Sequence, residues 1–303
     1  MLGDLFTDIR TGIRLLARDV DRGLAVFREQ WQRVQAAMTS GPSAIDRVLP
    51  DVGRVLGEIP KRCTLDDVKK VLIVGEIYVR RDNFSVSEIS DFLIAQGVFP
   101  KLAGVTEWVH YTDYARELIM TERRRREGLW RNLRDGGMQD QATHWFEAGW
   151  KRFVEHKMER ALKGTGFIPE VPTNMHRIIE EGRCSFVEPD LESEATVSPA
   201  VARAAMLEGY SGVAIIAPFG CLPGRLIEGV YAPWAKRRGY PVIALENDGQ
   251  PYPPNVVSRM EIFLLNVLRY EPQHRPSRGL LDLRSKLSRV GDELRRRTGF
   301  GAD

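Results

Sequence analysis

The stretch that most constrains the fold is residues 209–250, GYSGVAIIAPFGCLPGRLIEGVYAPWAKRRGYPVIALENDGQ. A continuous apolar run over 212–217 meets a turn, Pro218-Phe219-Gly220-Cys221-Leu222-Pro223-Gly224. A helical pattern over 225–238 and a second apolar run over 241–245 follow. Apolar runs of this length, bounded by turn residues, read as strands buried on both faces. Two such strands joined through a helix form a parallel βαβ unit. Open parallel sheets place their sites beyond the carboxyl ends of the strands, so this turn becomes the first place to look for chemistry.

A second unit of the same kind lies upstream. Val71-Leu72-Ile73-Val74-Gly75-Glu76 predicts a buried strand, 77–85 a loop, and the next segment a helix ending near Gly97. Ser85 or Ser87 is the expected cap, and Ser85-Val86-Ser87-Glu88 has the form of a capping box. Residues 101–108 predict the second strand. Strands alternating with helices argue for an α/β fold built on an open parallel sheet.

The flanking segments are helical. Leu5, Ile9, Ile13, Leu16, Val20, Leu24, Phe27, Trp31, Val34 and Met38 recur in steps of three or four, which predicts an amphipathic helix over 4–39. Gly12 and Gly23 are places where it can bend or divide, and Ser40-Gly41-Pro42-Ser43 stops it. A partner helix over 44–56 completes an N-terminal hairpin within 1–60, ahead of an α/β domain over 61–270 and a basic tail over 271–303. A long amphipathic helix at a chain end needs a cover, which leads to the expectation of an oligomer.

A helical insert is expected over 111–163. Its Arg123–Arg126 run, flanked by Glu122 and Glu127, reads as a solvated face. Trp130, Trp145, Phe146, Trp150 and Phe153 stand at helical spacing and read as core rather than as a base-stacking platform. A loop over 164–172, short helices over 175–181 and 193–208, with Pro199 in the first turn of the latter, and a last helix over 255–268 follow. The tail carries an amphipathic stretch over 280–294.

Several function classes are excluded at this level. With 44 basic against 41 acidic side chains, the net charge of +3 is too balanced for a nucleic-acid or anionic-membrane surface. Apolar runs fall short of a membrane span. Asp4 and Asp8 stand where an export signal would be basic and then apolar, so a cytoplasmic protein is expected. The three cysteines are widely spaced and make no disulfide framework and no Cys-x-x-Cys. The five histidines form no metal-spaced pair, and neither a P-loop nor Gly-x-Gly-x-x-Gly occurs.

Cys221 is the cysteine in a demanding setting. Gly220 and Gly224 allow tight backbone paths, Pro223 stiffens the turn, and N–H groups at the start of the next helix point toward the thiol or an anion beside it. Ligand to an iron–sulfur cluster, nucleophile and small buried hydrophobe all fit. Gly75-Glu76 and Glu246-Asn247-Asp248 end predicted strands and can face the same crevice; their carboxylates, Glu76 and Asp248 first, are either acid–base groups or polar caps of the strand ends.

Three of these segments together resemble the 2-hydroxyacyl-CoA dehydratase superfamily, most closely the dehydratase-like part of large activase-related proteins. They are Gly75-Glu76-Ile77-Tyr78-Val79-Arg80 with the strand before it, Pro218-Phe219-Gly220-Cys221-Leu222-Pro223-Gly224, and Glu246-Asn247-Asp248-Gly249-Gln250 with Arg259 and Phe263 downstream. Glu107-Trp108 followed by Tyr111-Thr112 adds a fourth match, and the likeness covers about residues 65 to 270. The resemblance implies Rossmann-like domains and a cysteine-bound cubane or double-cubane iron–sulfur cluster. It also implies an ATP-dependent activase as electron donor and an acyl-CoA or small-molecule substrate. Cys221 is the ligand that carries over. The family's other cluster cysteines lie mostly in a preceding domain that has no match here. Cys63 and Cys184 are the local substitutes, and a dehydratase-family partner subunit is the alternative source of ligands.

Overall fold

The computed structural model describes residues 1–128, 137–170, 174–183, 185–188, 191 and 193–272. The chain begins with three helices, α1 (Leu2–Leu16), α2 (Val20–Thr39) and α3 (Pro42–Gly57). A first unit follows, β1 (Lys70–Gly75), α4 (Asn83–Ala95) and β2 (Phe99–Leu102). Among the described residues, the helices α5 (Val105–Glu127), α6 (Gly137–Lys163), α7 (Met175–Arg183) and α8 (Glu194–Leu207) then intervene. The second unit is β3 (Gly212–Pro218), α9 (Leu222–Lys236) and β4 (Val242–Asn247), and α10 (Pro254–Arg269) ends the described chain. All strand pairs are parallel and the order is β2-β1-β3-β4, a Rossmann-like open α/β fold.

The sheet follows directly from the apolar runs. Alternate side chains of a strand face opposite sides. Leu72, Val74, Val213 and Ile215 therefore pack under α7, α8 and α9. Val71, Ile73, Ala214 and Ile216 pack on the other side under α4 and α10. With both faces covered, the strands carry no polar side to mark them, as parallel strands require. Gly212 belongs to this packing, because a Cβ there would lie 2.8 Å from Val267 Cγ2.

The N-terminal helices form a layer of their own. Phe6, Ile9, Ile13, Leu16, Val52 and Leu56 close on one another and on Phe99, Leu162 and Phe167. The amphipathic faces that called for a cover are thus covered within the chain. One buried ion pair ties this layer to the sheet, Lys101 Nζ on β2 to Asp8 Oδ2 on α1 at 2.6 Å. Burial pushes the Asp8 carboxyl up, and Lys101 opposes it.

Several local expectations change. The long N-terminal helix is two helices, because Asp19 caps α2 through Arg22 N (3.0 Å) and Arg62 takes the free Leu15 carbonyl of α1 (2.5 Å). Asp82, not Ser85 or Ser87, caps α4 by accepting from Ser85 N at 2.9 Å. Glu88 instead accepts from Tyr252 N at 3.0 Å, across the sheet face. The strand expected over 101–108 lies earlier, at Phe99–Leu102, so only Lys101 and Leu102 of that range are strand, and Val105 already starts a helix. The Glu107 carboxylate receives the Gly104 N–H at 3.1 Å, which sets that start. Pro199 lies inside α8, past its first turn. Trp145, Phe146, Trp150 and Phe153 are exposed, while His144 and Ala148 of the same helix are buried, so the core face of α6 is not the aromatic one. Trp130 and residues 280–294 lie outside the described residues.

Candidate functional site

The sheet reverses its winding between β1 and β3. From β1 the chain moves outward to β2, and from β3 it moves outward to β4 in the other direction. The loops leaving β1 and β3 therefore diverge, and the gap between them is the topological switch point, where such sheets bind ligands. Gly75 ends β1 at φ +124°, and a Cβ there would lie 1.9 Å from the Ile216 carbonyl oxygen of β3. The close approach lets Glu76 N donate to that carbonyl at 3.0 Å, extending the pairing to the rim of the crevice.

Cys221 stands just past the end of β3 as the N-cap of α9. Its own N–H donates to the Pro218 carbonyl at 3.1 Å, and its carbonyl accepts from Arg225 N at 3.0 Å. The backbone is fixed, yet the side chain makes no capping hydrogen bond, which leaves a half-buried thiol uncommitted. Pro223 occupies the first turn of α9, where its missing N–H costs nothing. Gly224 is required for contact, since a Cβ on it would lie 2.4 Å from Ala217 Cβ and 3.8 Å from Cys221 Sγ. Gly220 adopts φ +70° and donates its N–H to Glu246 Oε1 at 3.3 Å.

The other strand-end carboxylates divide by role. Glu76 Oε2 accepts from Val79 N at 2.8 Å and so caps its own turn. Asp248 Oδ1 accepts from Gln250 N at 3.0 Å, and Asn247 Oδ1 from Gly249 N at 2.9 Å. Both candidates thus shape loops, and only Asp248 also lines the cavity of about 250 Å³ that opens beside Cys221. Glu246, which ends β4, pairs with Arg225 Nη2 at 2.7 Å and locks the Cys221 turn to β4. The sequence places Glu246 among the strand-end residues that can face the crevice, but its pairing with Arg225 is not legible there. Arg259 lines the same cavity and donates to the Ala244 carbonyl at 3.1 Å. Burial pushes the Tyr252 phenol, on the cavity wall, up to about 12. Phe263, in contrast, is core. Arg80 is buried and donates to the Ala103 carbonyl at 2.8 Å, so it braces the end of β2 rather than facing the crevice.

Large apolar side chains lie exposed in the segments that follow β1 and β3, and Phe219 among them lines the cavity. Tyr78 (73% exposed) and Phe84 (51%) follow β1, and Phe219 (74%) and Leu222 (69%) follow β3. Exposed apolar side chains of this size are often covered by a partner.

Among the described residues, Cys63 does not join Cys221. Cys63 packs with the N-terminal helical layer, before β1 begins. Cys184 lies outside the described residues. Among the described residues no group of three His, Cys, Asp or Glu side chains could hold a metal ion, and no helix is long and apolar enough to cross a membrane. A cubane takes four ligands, and family precedent aside, one thiol is not a cluster site. The described donor set does not fit a cluster unaided. The chain matches no protein-family model, no curated protein and no solved structure.

Proposed function

We propose that this chain is the ligand-completing subunit of a redox enzyme of the 2-hydroxyacyl-CoA dehydratase type. Cys221 supplies one thiolate to an iron–sulfur cluster whose other ligands come from a partner subunit. The observation that carries this reading is the uncommitted thiol of Cys221 on the wall of the switch-point crevice, which it shares with the exposed Phe219. An exposed ring of that kind fits a protein surface closing over the thiol, and closure would exclude water from whatever the thiol binds. The sequence likeness of the β1, β3 and β4 ends supplies the chemical class, with a reducing cytoplasm, an ATP-dependent activase as electron source and an acyl-CoA or small-molecule substrate.

The test is iron and acid-labile sulfide per chain, with an electron paramagnetic resonance spectrum after dithionite reduction. Protein purified under nitrogen is compared alone and co-expressed with its neighbouring genes. The expected result is no stoichiometric iron in the isolated chain, iron in the complex, and loss of that iron in Cys221→Ala. About four iron atoms on the isolated chain would contradict a shared site. Iron in neither preparation would overturn the cluster reading altogether.

A further inference from the structure

The sheet has two edges, and the described chain covers one of them. β2 is buried along its whole length, with Phe99 and Lys101 turned into the N-terminal helical layer. β4, at the other edge, alternates between partly exposed and buried residues. The Pro241 carbonyl, just before β4, accepts from Val213 N at 3.0 Å, and the Asn247 carbonyl at its end accepts from Phe219 N at 3.0 Å. In a parallel ladder alternate residues turn both backbone groups to the same side, so Ile243 and Leu245 also face β3, and Val242, Ala244 and Glu246 face outward. Among the described residues, only the Ala244 carbonyl of that outer row is met, by Arg259 Nη2 at 3.1 Å. An open row of N–H and C=O groups is a template for another strand.

The groove along this edge, about 230 Å³, points to whose strand that is. Its α9 wall presents Glu228, Ala232 and Lys236, each one turn after the last. Arg225 pairs with both Glu228 (3.1 Å) and Glu246 (2.7 Å), so Glu228 lies at the Glu246 end of β4 and Lys236 at the Val242 end. From Glu228 to Lys236 is about 12 Å along a helix, and from Val242 to Glu246 about 13 Å along a strand. A two-fold axis through Ala244 therefore runs level with Ala232. The order negative, small, positive is complementary to itself about such an axis: Glu228 of each copy meets Lys236 of the other. The spacing also fits. Because α9 packs across β3 and β4, its two copies would stand about two strand spacings apart, about 10 Å, which is helix-packing distance. Lys236 is exposed and, among the described residues, has no ion-pair partner, while the Glu228 contact with Arg225 is an exposed one within α9. On the α10 side, Ile262 (60% exposed) adds apolar surface to the groove.

We infer that the chain forms a two-fold dimer in which β4 pairs antiparallel with β4 of a second copy, joining two four-stranded sheets into one. Arg259 then yields the Ala244 carbonyl to the Ala244 N–H of the second copy. The surface is independent of the Cys221 reading.

The test is sedimentation velocity of the full chain, under reductant, across a dilution series that reaches about 100 μM, well above a Kd of about 1 μM. A concentration-dependent rise to the mass of two chains is expected. Ala244→Pro removes an outward N–H that β3 does not use and blocks the edge, so it gives the mass of one chain. Because proline can disturb β4 itself, charge variants supply a second readout. Lys236→Glu weakens the dimer about tenfold, since two attractions become two repulsions. Glu228→Lys combined with Lys236→Glu recovers most of the affinity. A single-chain mass throughout the series overturns the inference and leaves a different protein or residues 273–303 as the cover of the edge. A dimer that Lys236→Glu leaves unchanged, or that the exchange of both charges fails to recover, overturns it as well.

Discussion

The sheet and the helical insert solve opposite problems. Along β1 and β3 every inward position is apolar, from Val71 to Val74 and from Val213 to Ile216. In the insert, α6 turns His144 inward and Trp145, Phe146, Trp150 and Phe153 outward. The first arrangement is a scaffold that holds one turn in place. The second gives up part of its apolar burial and leaves an aromatic surface outside. The two parts should respond differently to substitution.

The largest effect is expected at the switch point. Gly75→Ala places a Cβ against the Ile216 carbonyl and forces φ +124° on a residue that resists it. Backbone strain and overpacking each cost about 1–3 kcal/mol, so the sum is roughly 2–6 kcal/mol. Urea unfolding followed by circular dichroism measures it.

At the seam between sheet and N-terminal helices, Lys101→Met strands the buried Asp8. Removing one partner of a buried pair costs about 3–5 kcal/mol at neutral pH. Because burial already holds the Asp8 pKa above its ordinary value, the folded state accepts the protonated carboxyl readily. The penalty therefore shrinks as the pH falls toward the unfolded carboxylate value of about 3.9. A destabilisation independent of pH would remove Asp8 from the explanation.

Asp4 has the opposite sign. Burial raises its pKa, but the Arg81 guanidinium and the Thr106 hydroxyl and amide outweigh burial and hold the carboxyl below its usual range. Its contribution is present above the unfolded value of about 3.9 and is lost as pH falls through the lower folded value. Asp4→Asn should flatten that part of the acid limb in a pH series of thermal unfolding, and an unchanged limb would assign the limb to other groups.

The smallest effect marks the other side of the comparison. Phe146→Ser, at an exposed aromatic of α6, should change stability by no more than about 0.5 kcal/mol. A loss of several kcal/mol would mean that the aromatic face is packed after all.

How much of this was readable from the chain follows the same division. Continuous apolar runs with Gly and Pro at their ends made β1, β3 and β4 legible, along with the turn at Cys221. The failures came where a local signal was overruled by a distant partner. Val105-Thr106 has the β-branched look of a strand, but Glu107 returning to Gly104 N starts a helix there. The period over 4–39 runs unbroken through a chain reversal, since only Arg18 N to the Pro60 carbonyl and Arg62 to Leu15 reveal the break. Helical spacing identified the aromatic residues of α6 but not which face points inward. That depends on Lys151 meeting Asp113, on another helix. At the site, Cys221 and its glycines were legible because the turn is local, and the Arg225–Glu246 lock was not, because it joins the first turn of α9 to β4.

The most direct test of the central claim compares two thiols in one molecule. Cys221 stands on the crevice wall with the exposed Phe219, and Cys63 packs against the N-terminal helices. Iodoacetamide labelling, quenched and resolved by peptide mass spectrometry, is followed in the isolated chain and in the anaerobic complex. The account predicts that Cys221 labels readily alone and is protected in the complex, while Cys63 reacts at the same rate in both. Cys221 labelling at an undiminished rate in an iron-containing complex would contradict it.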